Sequence, residues 1–422
     1  MLAPRCGRSR KLLSFGPAAL ALLLALTFAR AGVAETAWTL EQVLQTLPAN
    51  PAALARLSEQ TAARASLDSA RWLRYPGAGL ELSAQDAGQH TGTLRVDQPL
   101  WTGGRVSATI DGAAKRLDAS TVAIEELRLD LTLRAIGAFT EALRQAAREQ
   151  LAAASRAEHE TLLATVRRRV AEDASPLTDQ RLAEARTLQA ATELNLTVQA
   201  LQAALAQLSS LTGTDVGVVV DGGLARHATP PDLPATLATA TAFSPTARRL
   251  ALEEAAADAD VALQRAAVMP TVALRAERLG GAVRDNRPML TFQMQTGPGL
   301  SARSEVEAAV ARRDAIRDRR LAALRDVRER VTLDWTQWTA AQDRLTTATQ
   351  STALYLEVLD SYKRQFAIGR KTPVELLNAV RDVTSAQYAE VDARLQALAA
   401  GLRLLANTGG MTGAYIEEPS GR

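Results

Sequence analysis

The chain has 422 residues, 49 of them Lys or Arg and 46 Asp or Glu, and only 4% are aromatic. Rich in Ala, Leu, Arg and Gln, it suits long helices packed closely through small side chains and excludes a thick core of large rings. With a single cysteine, Cys6, it has neither a disulfide framework nor a thiolate metal site.

In chain order, residues 1–34 read as a secretory signal peptide. Arg5, Arg8, Arg10 and Lys11 form a basic start, the apolar run Ala18–Ala29 follows, and small residues between Ala31 and Ala34 supply a cleavage site. The apolar run is too short to span a membrane as a helix. Cys6 precedes it and cannot carry the lipid of a mature lipoprotein. Residues 1–34 hold five basic residues and no acidic one, so 44 basic and 46 acidic residues remain after cleavage. A nearly neutral chain of this kind gives no basic surface for nucleic acid.

Next comes a duplicated unit. Asn50–Pro76 and Ser244–Pro270 each open with a polar residue and proline, which suits a helix start, and each closes on a proline 25 residues after the first. An Ala-rich helical pattern lies between. Both copies then change period. Alternation in Leu80–Ser83 and in Leu290–Gln295, around Gly- and Asp-rich turns, predicts β-hairpins at about 77–98 and 271–296. Neither Pro99 to Pro176 nor Pro298 to Pro373 contains a further proline. Ile124, Leu127, Leu131, Ala135, Ala138 and Ala142 recur at coiled-coil spacing. Two helices follow, about Gly104–Glu172 and about Leu300–Ile368, each roughly 100 Å long at 1.5 Å per residue. Turns at about 170–178 and 367–374 lead to a last helix in each copy, ending at Gly213 and Gly409. The domain reading is therefore a first repeat over 35–220, a linker over 221–234, a second repeat over 235–412 and a tail over 413–422. Landmarks in the two copies are offset by 194, 197 and 196 residues.

A two-stranded hairpin is not stable alone in water, and four strands from one chain cannot close a barrel. Several chains could contribute strands to one closed sheet, the form in which β structure crosses a membrane. Trp72, Tyr75, Trp101 and Phe292 fall at or near strand ends, where interfacial aromatics sit.

Order and duplication of these pieces resemble the TolC family of outer-membrane efflux and export channels. The residues that carry the resemblance are "QPLWTGGR" after the first hairpin, "SPLTDQRLAEAR", "FAIGRKTPVELLNAV" and the closing Leu-x-Gly segments. The second hairpin exit, "QTGPGLSARSEVEAA", departs from the family's aromatic-Gly-Gly form and is similar to members paired with type I secretion of large adhesins.

The resemblance implies a mainly α fold with a small β part: two tandem repeats of helix, β-hairpin, long helix, turn and helix. It implies a homotrimer in the outer membrane of a Gram-negative bacterium, in contact with outer-membrane lipid. Twelve strands would form its barrel and the helices a periplasmic tunnel. Its partners would be a periplasmic adaptor (membrane fusion) protein and an inner-membrane transporter, ABC-type or proton-driven. Type I protein secretion is the expected use, drug or small-molecule efflux the alternative. No cofactor or catalysis is expected.

The implied adaptor-contacting tips are Val170, Ala171, Glu172, Asp173, Ser175 and Pro176 in the first repeat, and Ile368, Gly369, Thr372 and Pro373 in the second. The implied entrance constriction comprises Asp179, Lys371, Glu375 and Asn378, the last standing where the family carries a second acid. Lys371 is expected to pair with Asp179, and a ring of Glu375 carboxylates to attract cations with raised pKa values.

Two other classes compete. An enzyme would need a constellation that His90, His159 and His227, far apart in the sequence, do not make. A periplasmic coiled-coil scaffold or adaptor would share the signal peptide and long helices, but has no need of hairpins at one point of two repeats.

Overall fold

The computed structural model describes residues 37–85, 89–223, 232–280, 285–294 and 301–411. The signal peptide, most of the linker, the tail and residues 295–300 of the second hairpin exit lie outside the described residues.

Each repeat has the same sequence of long elements. The first has α2 (Pro51–Trp72), β2 (Gly77–Gln85), β3 (Gln89–Trp101), α3 (Arg105–Ala171) and α4 (Leu177–Thr212). The second has α6 (Pro245–Ala266), β5 (Thr271–Gly280), β6 (Asp285–Gln293), α7 (Ser301–Ala367) and α8 (Pro373–Asn407). Helix lengths match between copies: 22 and 22 residues, 67 and 67, 36 and 35. The short elements are β1 (Ala37–Trp38), α1 (Leu40–Thr46), β4 (Val218–Val219) and α5 (Leu233–Phe243).

Local chemistry sets the boundaries. Asn50 and Ser244 accept hydrogen bonds from Ala52 N–H and Ala247 N–H, and the proline after each caps residue starts the helix with φ already set. Gly103 and Gly104 have φ of 60° and 90°, conformations that turn β3 into α3. A Cβ on Gly103 would lie 2.3 Å from Met269 Cβ, so the bases of the two hairpins meet only because position 103 has no side chain.

The four long strands form one antiparallel sheet in the order β2–β3–β5–β6. The helices follow the same order. Beside the sheet the layer runs α2, α3, α6, α7; farther away it runs α4, α3, α8, α7. Consequently β2 and β6 are edges of the sheet, while α2, α4 and α7 are edges of the helical layer. The edge elements of each repeat lie on the same side.

Because helix contacts are made largely by alanine, few contacts rest on large side chains. The biggest apolar cluster lies midway along the helices, where α1 inserts Leu40, Val43 and Leu44 against Ile136 and Phe139 of α3, Leu208 of α4 and Leu402 of α8. There β1 pairs in parallel with β4, Ala37 opposite Val218. Ion pairs supplement the alanine contacts, among them Arg116–Asp260 at 2.5 Å between α3 and α6 and Arg403–Asp334 at 2.7 Å between α8 and α7.

Candidate functional site

The sheet has two chemically different faces. Directly opposed residues share a face, and Leu80 opposes Leu94, Leu274 opposes Leu290, and Val272 opposes Phe292. These belong to the apolar face; Leu80, Leu290 and Phe292 are 69%, 67% and 69% exposed. Arg278 and Asn286, in the cross-strand row of Leu80 and Leu94, and Gln98, opposite Leu274, interrupt that face. The opposite face carries Glu81, Arg95, Asp97, Arg275, Glu277, Asp285 and Arg287. Its charges are tied across strands: Arg95–Glu277 at 3.0 Å and Arg275–Asp97 at 2.6 Å. An apolar exposed face backed by a charged one is the pattern of a barrel wall between lipid and water. Trp72, Tyr75, Trp101 and Phe292 are all exposed and lie at the helix-side end of the sheet.

At the opposite end, the two helical hairpins finish side by side. Leu162 and Val166 of α3, Ala183 of α4, Leu359 and Phe366 of α7 and Leu377 of α8 share one apolar cluster. Arg169 bridges the hairpins. Its Nη2 donates to the carbonyl of Phe366 at 2.5 Å, and its guanidinium lies 4.1 Å from the centre of the Phe366 ring.

The turns solve the same backbone problem differently. At the second, Gly369 takes φ of 75° and Arg370 N–H reaches back to Gln365 O at 2.9 Å. At the first, Asp173 takes φ of 54° and Ala174 N–H reaches Arg169 O at 2.8 Å, so an aspartate stands in the left-handed position. Ala171, Glu172, Asp173, Pro176, Ile368 and Gly369 are exposed; Val170 and Ser175 are half-buried, and Pro373 is buried. Thr372 forms a capping box with Glu375.

Lys371 does not reach Asp179. Its Nζ lies 2.6 Å from Glu375 Oε1 and 4.2 Å from the centre of the Tyr362 ring. The capping box explains the contact within the chain. It turns Glu375 back over the start of α8, and a lysine four residues earlier is then its nearest cation. Among the described residues no ion pair reaches Asp179, which stands in the first turn of α4, where the helix dipole favours an anion. Asn378 is half-buried one turn along α8 from Glu375.

Within one chain the Glu375 carboxyl is held low. The Lys371 hydrogen bond, with further bonds from the Thr372 N–H and hydroxyl, holds the carboxyl at about 2 against an ordinary 4.5. A depressed carboxylate pKa stabilises the fold above the unfolded value and loses that contribution as pH falls through the folded one. Protection of the Thr372 amide, which donates to Glu375 Oε2 at 3.0 Å, is therefore expected to be complete above about pH 4.5 and to fall toward pH 2. Hydrogen exchange corrected for intrinsic rates measures it. Glu375→Gln should flatten the profile, and a flat wild-type profile would reject the assignment.

Arg169, Tyr362 and Phe366 were not singled out from the sequence. The signal was a basic residue and two aromatics just before the breaks at Pro176 and Pro373, in a chain with few aromatics.

The outer membrane efflux protein family model matches residues 237–410, most of the second repeat. No curated protein matches. Among solved structures, a membrane protein from Pseudomonas aeruginosa is 20% identical with a TM-score of 0.76, covering 88% of this chain and 92% of its own. The outer membrane protein VceC from Vibrio cholerae is 16% identical with a TM-score of 0.75, covering 88% and 96%. The chain has a TolC-like channel fold. The open-state MtrE outer membrane channel of Neisseria gonorrhoeae is also similar, at 15% identity and a TM-score of 0.70 over 88% of both chains.

Proposed function

We propose that three copies of this TolC-like chain assemble into an outer-membrane channel that conducts cargo from an inner-membrane transporter and its periplasmic adaptor. The observation that carries the reading is the shared edge polarity of sheet and helices. Placing β6 of one copy beside β2 of the next continues the antiparallel alternation and brings α7 beside α2 and α4 of that neighbour. Three such steps give twelve strands from four per chain, closed and without edges, as a membrane requires. The charged sheet face then lines water and the apolar face meets lipid. The protein acts as a conduit and catalyses nothing.

The adaptor meets the exposed tip residues Ala171, Glu172, Asp173, Ile368 and Gly369. Ile368, 68% exposed at the end of the molecule, gives that contact an apolar anchor. Ala171→Arg and Gly369→Arg are expected to block export while leaving the yield of assembled channel unchanged. Normal export from both variants would remove the tips from the docking surface.

The form of the second hairpin exit favours type I protein secretion, and the efflux family model favours small-molecule efflux. Deleting the gene separates the two. Loss of a large protein from the medium with unchanged drug sensitivity supports secretion; increased sensitivity with an unchanged secretome supports efflux. Neither change, together with release of the protein from membranes by salt alone, would overturn the channel reading in favour of a periplasmic scaffold.

A further inference from the structure

One heptad column runs down the buried side of α3: Ile124, Leu131, Ala138, Gln145, Ala152, His159 and Val166. All seven are buried, none more than 8% exposed. Four consecutive members, Ala138, Gln145, Ala152 and His159, stand where a coiled-coil seam wants a large apolar residue, and two of them, Gln145 and His159, are polar. The mid-helix apolar cluster ends on α3 at Leu143 and on α8 at Val391, which packs against it; the tip cluster begins at Leu162 and Val383. Between them the only buried apolar side chain of the seam of α3 and α8, among the described residues, is that of Ala152.

The polar groups in this gap bond mostly along their own helices. Gln145 donates to Glu141 at 2.7 Å, and His159 Nδ1 lies 2.8 Å from Ser155 O. Ties across the seam are few: Thr384 Oγ1 to Ser155 Oγ at 3.1 Å and Arg148 to Asp392 at 3.7 Å, with Arg148 also over the Tyr388 ring. Arg148 Nε, Asp392 Oδ1 and the Tyr388 hydroxyl are buried without a protein partner. Tyr388 and His159 also line a cavity of about 200 Å³ between α3, α4 and α8. Its lining includes Ser155, Gln189, Glu193 and Thr384, and a cavity of that size has room for water that would satisfy the Tyr388 hydroxyl.

We infer that this hydrated polar gap is a hinge, about which the tip cluster moves as one body relative to the upper tunnel. Helical segments with few buried apolar contacts open locally before their neighbours. The apolar clusters on either side keep each part rigid. Swinging the tips would widen or narrow the end of the tunnel; that use, unlike the mobility itself, rests on the channel reading.

Hydrogen exchange of the full detergent-extracted protein tests it. Amides of residues 144–161 and 384–390 are expected to exchange at least about tenfold faster than those of the flanking clusters. Equal protection along α3 and α8 would overturn the hinge. In Gln145→Leu/His159→Leu, which completes the apolar column, exchange in the gap should slow to the level of its flanks. Persistent fast exchange would mean that the column is not the cause. In planar bilayers the same variant should show rarer opening steps. Unchanged opening with slowed exchange would overturn the hinge's part in opening. Absence of any conductance in the wild type would count against the channel reading while leaving the exchange result to stand.

Discussion

Leu80→Arg is expected to keep the chain out of the outer membrane, whereas Glu81→Arg, one residue further along, is expected to be inserted and extracted like the wild type. Adjacent strand residues point to opposite faces. Leu80 shares its face with Leu94, Val96, Leu274 and Leu290; Glu81 shares its face with Arg95, Asp97 and Arg275. An arginine facing lipid costs up to about 2–4 kcal/mol, most at the bilayer midplane and less toward the level of Arg278, and one facing the lumen costs little. In a trimer each substitution occurs three times, so a lipid-facing arginine would offset most of the stability of a typical domain. Leu290→Arg, on β6, is expected to behave like Leu80→Arg. The fraction of protein that needs detergent for extraction is the measurement. Equal behaviour of Leu80→Arg and Glu81→Arg would mean that the sheet does not stand between lipid and water.

That face contrast was only half legible in the sequence. Alternation at Leu80–Ser83 and Leu290–Gln295 is a period-2 signal, so strands could be read there. Register could not. Only the pairing of Arg95 with Glu277 and of Asp97 with Arg275, residues some 180 positions apart, turns scattered charges into one wall. The long helices were legible because prolines bound them and nothing in between breaks them. The short elements were not: α1, α5 and the β1–β4 pair are too brief to show a period. Thr39 and Gln42 form a capping box, and Asp232 precedes Pro234, so cap chemistry was the available signal.

At the tips, turn chemistry was legible and side-chain partners were not. Gly369 has the left-handed φ that its place after a helix implies. Asp173 does the same at the first turn without being glycine. The pairing of Lys371 with Glu375 was available from local spacing alone. Thr372-x-x-Glu375 is a capping-box signature, and Lys371 stands four residues before the glutamate. The likeness to a family directed attention to Asp179 on the neighbouring hairpin, while the local rule decided the contact.

Leu188→Glu and Leu354→Glu are each expected to yield monomers, by the same edge argument. Leu188 on α4 and Leu354 on α7 are 70% and 63% exposed and lie on opposite edges of the helical layer. They stand at matching heights. Leu188 is 11 residues from the start of α4 at Leu177, and Leu354 is 13 from the end of α7 at Ala367, or about 17–20 Å from the tips at 1.5 Å per residue. If α7 of one copy packs on α4 of the next, each contact covers both leucines, and burying a leucine stabilises by about 1.5–3 kcal/mol. A glutamate at either site would leave a charge in that contact without a partner. The contact joins two different patches, so one chain can carry both halves of a charge exchange. Leu188→Lys/Leu354→Glu should therefore recover part of the trimer that Leu354→Glu loses, although the two positions do not meet within a chain. Mass measurement in detergent reads the result. Trimers from both single glutamate variants would show that these edges stay open to solvent, and the closed tunnel would have to be abandoned.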